Sequence, residues 1–101
     1  MTLRVRPEAQ ADILEAARWY EDREPGVGVA LVSEAEAIFR RIERGPRSFR
    51  IAYRGLRIAL GHRFPYAAYF LSEGDDVIVF AVLHQRRDRK VLDERLEGQS
   101  H

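Results

Sequence analysis

The strongest constraint on the fold is the run Val77-Ile78-Val79-Phe80-Ala81-Val82-Leu83, which passes straight into His84-Gln85-Arg86-Arg87-Asp88. Seven consecutive apolar residues, mostly β-branched or aromatic, predict a strand buried on both faces. Such a strand belongs inside a sheet rather than on its edge. Its polar end delivers a histidine and two arginines to one end of that sheet, a rigid way to aim cations at an anionic or carboxylate-bearing target.

The rest of the chain supplies what covers this strand. Leu3 and Val5 alternate with Arg4 and Arg6, as in a strand with one face inward rather than a signal peptide. Pro7 suits a first helical position and Glu8 suits the dipole behind it. Through Arg23, Ala9, Ile13, Ala16, Ala17 and Tyr20 share one helical face, and Glu24-Pro25-Gly26 ends the helix. A second helix is predicted from Val27 to Arg44, with Leu31, Ala35, Ile38 and Ile42 as its stripe and Gly45-Pro46 as its stop. Alanines on both stripes allow an antiparallel helical hairpin.

Residues 47–55 read as a loop, and strands are predicted at 56–61, 63–72 and 76–86. Phe64, Tyr66, Ala68 and Phe70 share a face, Pro65 disturbs the start of that strand, and Ser72-Glu73-Gly74-Asp75 makes the hairpin turn. The segment from Asp88 to Leu96 forms a short helix or lies along the sheet, and residues 97–101 are expected to fray. The expected fold is α+β: an N-terminal strand, a helical hairpin, a three-stranded antiparallel meander and a short C-terminal segment. At 101 residues it is one domain, 1–101.

Composition excludes several chemistries. Without cysteine there is no disulfide, thiolate nucleophile or cysteine zinc site. His62, His84 and His101 lack a helical ligand spacing, so neither a metal nor another cofactor is expected. No apolar stretch approaches the ~20 residues of a membrane helix, which makes the cytoplasm the expected location. Formal net charge is +1, but residues 46–67 carry Arg47, Arg50, Arg54, Arg57 and Arg63 and no acid. Lys90 is the only lysine among seventeen basic residues. Arginine suits bidentate contact with carboxylate or phosphate, although GC-rich codon usage gives the same bias.

Four motifs carry a resemblance to a known family. They are Ala11-Asp12-Ile13, Gly45-Pro46, Arg63-Phe64-Pro65-Tyr66 and the Val79–Asp88 segment with its Leu-His-Gln-Arg-Arg-Asp end. In this order they resemble the RelE/ParE superfamily of bacterial toxins, the growth-inhibiting components of type II toxin–antitoxin and plasmid-stabilisation modules. The resemblance implies a cognate antitoxin and a toxin–antitoxin hetero-oligomer. It also implies one of two targets, DNA gyrase in the ParE-like branch or the ribosome and its mRNA in the RelE-like branch.

RelE-like cleavage needs a proton acceptor, cations for the phosphorane and a leaving-group donor. By resemblance Arg87 matches the last-strand arginine of those nucleases, Arg63 is a second cation, and His84 is the remaining base because imidazole titrates near neutrality. The tyrosine such enzymes carry after the last strand has no counterpart, since residues 88–101 contain none, and the lysine pair of some members is also missing. The ParE-like reading, which requires a binding surface and no catalysis, is therefore preferred. Ribosome-dependent mRNA cleavage is the alternative, and a non-toxic antitoxin-binding or corepressor member a further one. The expected target-binding residues are Arg86, Arg87 and Arg89. The expected antitoxin-binding residues are Trp19, Tyr53, Phe64, Tyr69 and Phe70. The plainer account of His84 is a strand-end histidine bonded to a carboxylate such as Asp88. For Arg86 and Arg87 it is pairing with Asp88 or Asp93.

Overall fold

The computed structural model describes residues 2–98. The element order is β1 (Thr2–Val5), α1 (Pro7–Arg23), α2 (Val27–Arg44), a 3-10 turn (Pro46–Ser48), β2 (Ile51–Tyr53), β3 (Leu56–Leu60), β4 (Tyr66–Glu73), β5 (Asp76–His84) and α3 (Lys90–Glu97). The expectation for residues 99–101 lies outside the described residues.

Both long helices have the predicted bounds because their apolar periods and stops are unambiguous. Pro7 opens α1 with Glu8 in its first turn. Between the helices Gly26 adopts φ 93°, a left-handed value that favours glycine. The Glu21 carboxylate accepts the amide protons of Gly26 and Gly28, each at 3.0 Å, and so caps the start of α2. A Cβ on Gly28 would lie 2.6 Å from the Ala17 carbonyl oxygen, so glycine sets how closely the helices approach.

The sheet has five strands in the order β1-β5-β4-β3-β2. β1 runs parallel to β5, pairing Thr2–Val5 with Asp76–Val79, and the other neighbours are antiparallel. β5 is internal, and Val77, Val79, Phe80, Ala81, Val82 and Leu83 are all buried. Val77, Val79 and Val82 join Ala59, Ala68 and Phe70 against Ala9, Ile38 and Ile42 of the helical hairpin. Phe80, Ala81 and Leu83 join Leu56 on the opposite face, under Leu92 of α3.

Three expectations are corrected. Residues 51–53, read as loop, form β2, closed to β3 by the two-residue turn Arg54-Gly55 with φ 48° and 85°. Positive φ at both turn positions is the I′ geometry that matches strand twist. β4 begins at Tyr66 rather than residue 63, and β5 ends at His84 rather than residue 86. α3 partly covers the second sheet face through Val91, Leu92 and Leu96. No helix among the described residues is long and apolar enough to cross a membrane.

Candidate functional site

Two loops meet at the end of the sheet where β5 finishes. Gln85 donates its backbone N–H to the Pro65 carbonyl at 2.8 Å and its side-chain amide to the Tyr66 carbonyl at 3.3 Å. The 61–65 loop is held from the other side by α2. Glu34 accepts the backbone N–H groups of His62, Arg63 and Phe64 at 3.1, 2.7 and 2.6 Å. Three successive amides turned onto one carboxylate form an anion nest already filled by the protein's own side chain. This pull explains why β4 starts late, and it presents Arg63 outward with its guanidinium 5.6 Å from the Phe64 ring centroid.

The β5–α3 linker turns at once. Arg87 donates its N–H to the His84 carbonyl at 2.9 Å, and Arg86 donates its N–H to His84 Nδ1 at 3.1 Å. His84 is thus a strand-end cap, but for a backbone amide rather than for Asp88. Asp88 instead accepts the Lys90 N–H at 2.9 Å at the start of α3. Because the strand has ended, strand alternation does not govern Arg86 and Arg87. Both are exposed, and neither forms an ion pair among the described residues. Arg89 lies over the Tyr53 ring at 4.9 Å.

Between α1 and this strand end lies a cleft of ≈ 310 Å³, lined by Glu15, Trp19, Tyr20, Tyr66, His84 and Arg87 among others. The Tyr66 ring meets His84 edge-on at 5.5 Å and Tyr20 at 6.3 Å. Burial, helped by Tyr20 and Glu15, pushes the Tyr66 phenol above its ordinary value, and Arg87 opposes the shift. Trp19 is 50% exposed, with the Arg23 guanidinium 3.5 Å from its ring centroid.

The structure separates the aromatic residues expected to meet an antitoxin. Phe70 is fully buried and Phe64 is 7% exposed, so both belong to the core and offer no docking surface. The helical hairpin covers both, Phe70 against Ile38 and Ile42 and Phe64 against Ala16 and Leu31. Tyr53 donates its hydroxyl to Asp93 at 2.8 Å, and Tyr69 packs against the α3 cluster. Asp93 also accepts from Arg54 at 2.7 Å, and these two donors hold its carboxyl below the ordinary range. Trp19 alone of the five presents a large exposed apolar surface.

Two polar anchors were missed, although both sit on apolar helical stripes where an acid is anomalous. Glu34 lies between Leu31 and Ile38. Asp12 lies between Ala9 and Ala16, and it forms a bidentate pair with Arg95 of α3 at 2.5 and 2.8 Å. Past Val79, β5 has no strand neighbour on the β1 side. There Asp12 accepts the Val82 N–H at 3.0 Å, and Arg95 donates to the Phe80 carbonyl at 3.0 Å. The ion pair finishes the strand edge that β1 is too short to cover.

The family match places this helical hairpin on a five-stranded sheet, with arginines leaving its last strand, in the RelE/ParE toxin superfamily. The chain belongs to the ParE family: the model for the ParE toxin of the type II toxin–antitoxin system parDE matches residues 3–89. A solved structure described as the chromosomal ParDE toxin–antitoxin system from P. aeruginosa is similar in fold. Its TM-score is 0.76 at 18% identity, over 83% of this chain and 95% of that one. No curated protein matches the sequence.

Proposed function

We propose that this ParE-family toxin acts on DNA gyrase through Arg86, Arg87 and Arg89, and that a cognate antitoxin neutralises it. The observation that carries the choice of target is the bond at His84. With Nδ1 accepting the Arg86 amide proton, a neutral ring carries its own proton on Nε2. In that tautomer Nε2 donates and does not accept, so His84 is unsuited to deprotonating a 2′-hydroxyl. Arg63 and Arg87 supply charge but no base, which disfavours the RelE-like alternative. A binding role asks only that the arginines be exposed and held.

For the antitoxin, the outer groove of the helical hairpin is the favoured seat. Its volume is ≈ 360 Å³, and Ile13, Leu14, Val32 and Phe39 line it. Leu14, Trp19 and the 70%-exposed Val29 lie on the same two helices. Such a surface fits the apolar face of an amphipathic helix.

Controlled expression in bacteria tests the target. The expected result is filamentation with induction of the DNA-damage response while mRNA stays intact. Rapid translation arrest with codon-spaced mRNA cuts would replace gyrase with the ribosome, and growth at every expression level would remove toxicity altogether.

A further inference from the structure

On the sheet face that α3 only partly covers, cationic and phenolic groups gather away from the end of β5. The Arg50 carbonyl accepts the Ile58 N–H at 3.1 Å, and Ile58 pairs with Tyr69, so the three residues make one row across the sheet. Tyr53 lies further along the same edge, opposite Leu56, with the Arg89 guanidinium 4.9 Å from its ring centroid. Burial pushes the Tyr69 phenol above its ordinary value, and Arg89 and Arg50 both oppose that shift. Two arginines from different segments thus act on one hydroxyl.

Neither arginine forms an ion pair among the described residues, and both are exposed. The nearby acid Asp93 is engaged instead by Tyr53 and Arg54. From Arg44 to Ser72 the chain carries six arginines and no acid. The aromatic rings are poorly placed to stack a base. Arg89 occupies a face of Tyr53, and the Tyr69 ring packs with Leu56, Phe80 and Leu83. What remains open is a hydroxyl, two guanidinium groups and, two residues beyond Ile58 on the same face, a 46%-exposed Leu60. Charge beside an exposed apolar side chain suits a protein surface, and donors of this kind suit carboxylates.

We propose that Arg50, Arg89 and the Tyr69 hydroxyl form a docking surface for an acidic segment of a protein partner, whose carboxylates they bind while Leu60 meets an apolar side chain beside them. Tyrosine and arginine are among the residue types that most often dominate such contacts. The surface widens the target-binding face from the β5–α3 linker across the sheet to the start of β2. The inference rests on Arg89 as a target-binding residue, and not on gyrase being the target.

The purified full-length toxin is titrated, under heteronuclear NMR, with the acetylated peptide Glu-Leu-Glu-Leu-Glu, its Gln-Leu-Gln-Leu-Gln counterpart and a thymidine pentanucleotide. The acidic peptide is expected to shift the side-chain Nε–H signals of Arg50 and Arg89 and the Ile58 amide, with half-saturation below about 1 mM. The glutamine peptide should bind at least about tenfold more weakly. Arg50→Gln, at an exposed position, and Tyr69→Phe, which keeps the packed ring and removes only the hydroxyl, should each weaken the acidic peptide about fivefold. In bacteria, either variant should need more expression than wild type to arrest growth. The proposal is overturned if the acidic peptide leaves these signals in place up to about 10 mM, or if the glutamine peptide binds as well. It is also overturned if the pentanucleotide binds more tightly at the same signals, or if both variants match wild type. Wild-type gyrase poisoning by Arg50→Gln and Tyr69→Phe removes this surface alone. Absence of gyrase poisoning with the peptide result intact removes only the gyrase reading.

Discussion

Replacing Asp12 with alanine is expected to lower the unfolding free energy by about 3 kcal/mol, the largest effect of any single change away from the apolar core. Breaking a buried ion pair costs roughly 3–5 kcal/mol because it leaves the partner charge uncompensated. Here the side chains are 10% and 18% exposed, so solvent softens the loss and the lower end applies. The Val82 amide also loses its acceptor. For a domain of this size about 3 kcal/mol is a fall in Tm of roughly 12–24 °C. Thermal unfolding followed by circular dichroism measures it. Asp12→Leu combined with Arg95→Met should recover much of the loss, since replacing both charges by apolar groups removes the uncompensated one. A double variant as unstable as Asp12→Ala would contradict this account of the pair.

Replacing Glu34 with alanine is expected to cost about 2 kcal/mol and to free the 61–65 loop. Each charge-assisted bond contributes roughly 1.5–3 kcal/mol when buried, and water replaces part of that here because His62 and Arg63 are exposed. The specific signature is local. Hydrogen exchange at the amides of His62, Arg63 and Phe64 should quicken by at least about tenfold beyond the change at the β5 amides. Glu34→Gln keeps one acceptor oxygen and should fall between wild type and alanine. Uniform acceleration through the whole sheet would mean that Glu34 acts on global stability and not on this loop.

Much of this architecture was legible in the sequence because the relevant signals were long. The Val77–Leu83 run could only be an internal strand, and the helical hairpin followed from two uninterrupted stripes with glycine and proline stops. β2 escaped because it is three residues long and its turn is Arg54-Gly55, where Asn-Gly or Asp-Gly would have signalled a I′ hairpin. The parallel pairing of β1 with β5 rests on where the helical hairpin returns the chain, which no local pattern encodes. At the site, the exposed position of the linker arginines followed from the end of the apolar run. Phe64 and Phe70 were misplaced on the surface because alternation assigns a shared face without saying which layer covers it, and Phe64 lies in the loop before β4 begins. Asp12 and Glu34 were visible as acids on apolar stripes, but their partners lie 83 and about 30 residues away, at Arg95 and in the 61–65 loop.

The central claim is that arginines held at the end of an internal strand meet gyrase. Purified gyrase and supercoiled plasmid, incubated with the toxin and then treated with detergent and protease, test it directly. The account predicts linear DNA that accumulates with wild-type toxin and falls at least about tenfold with Arg86→Ser/Arg87→Ser, whose exposed positions leave the fold intact. Undiminished cleavage by that variant, or no linear DNA at any excess of the wild-type toxin, would contradict it.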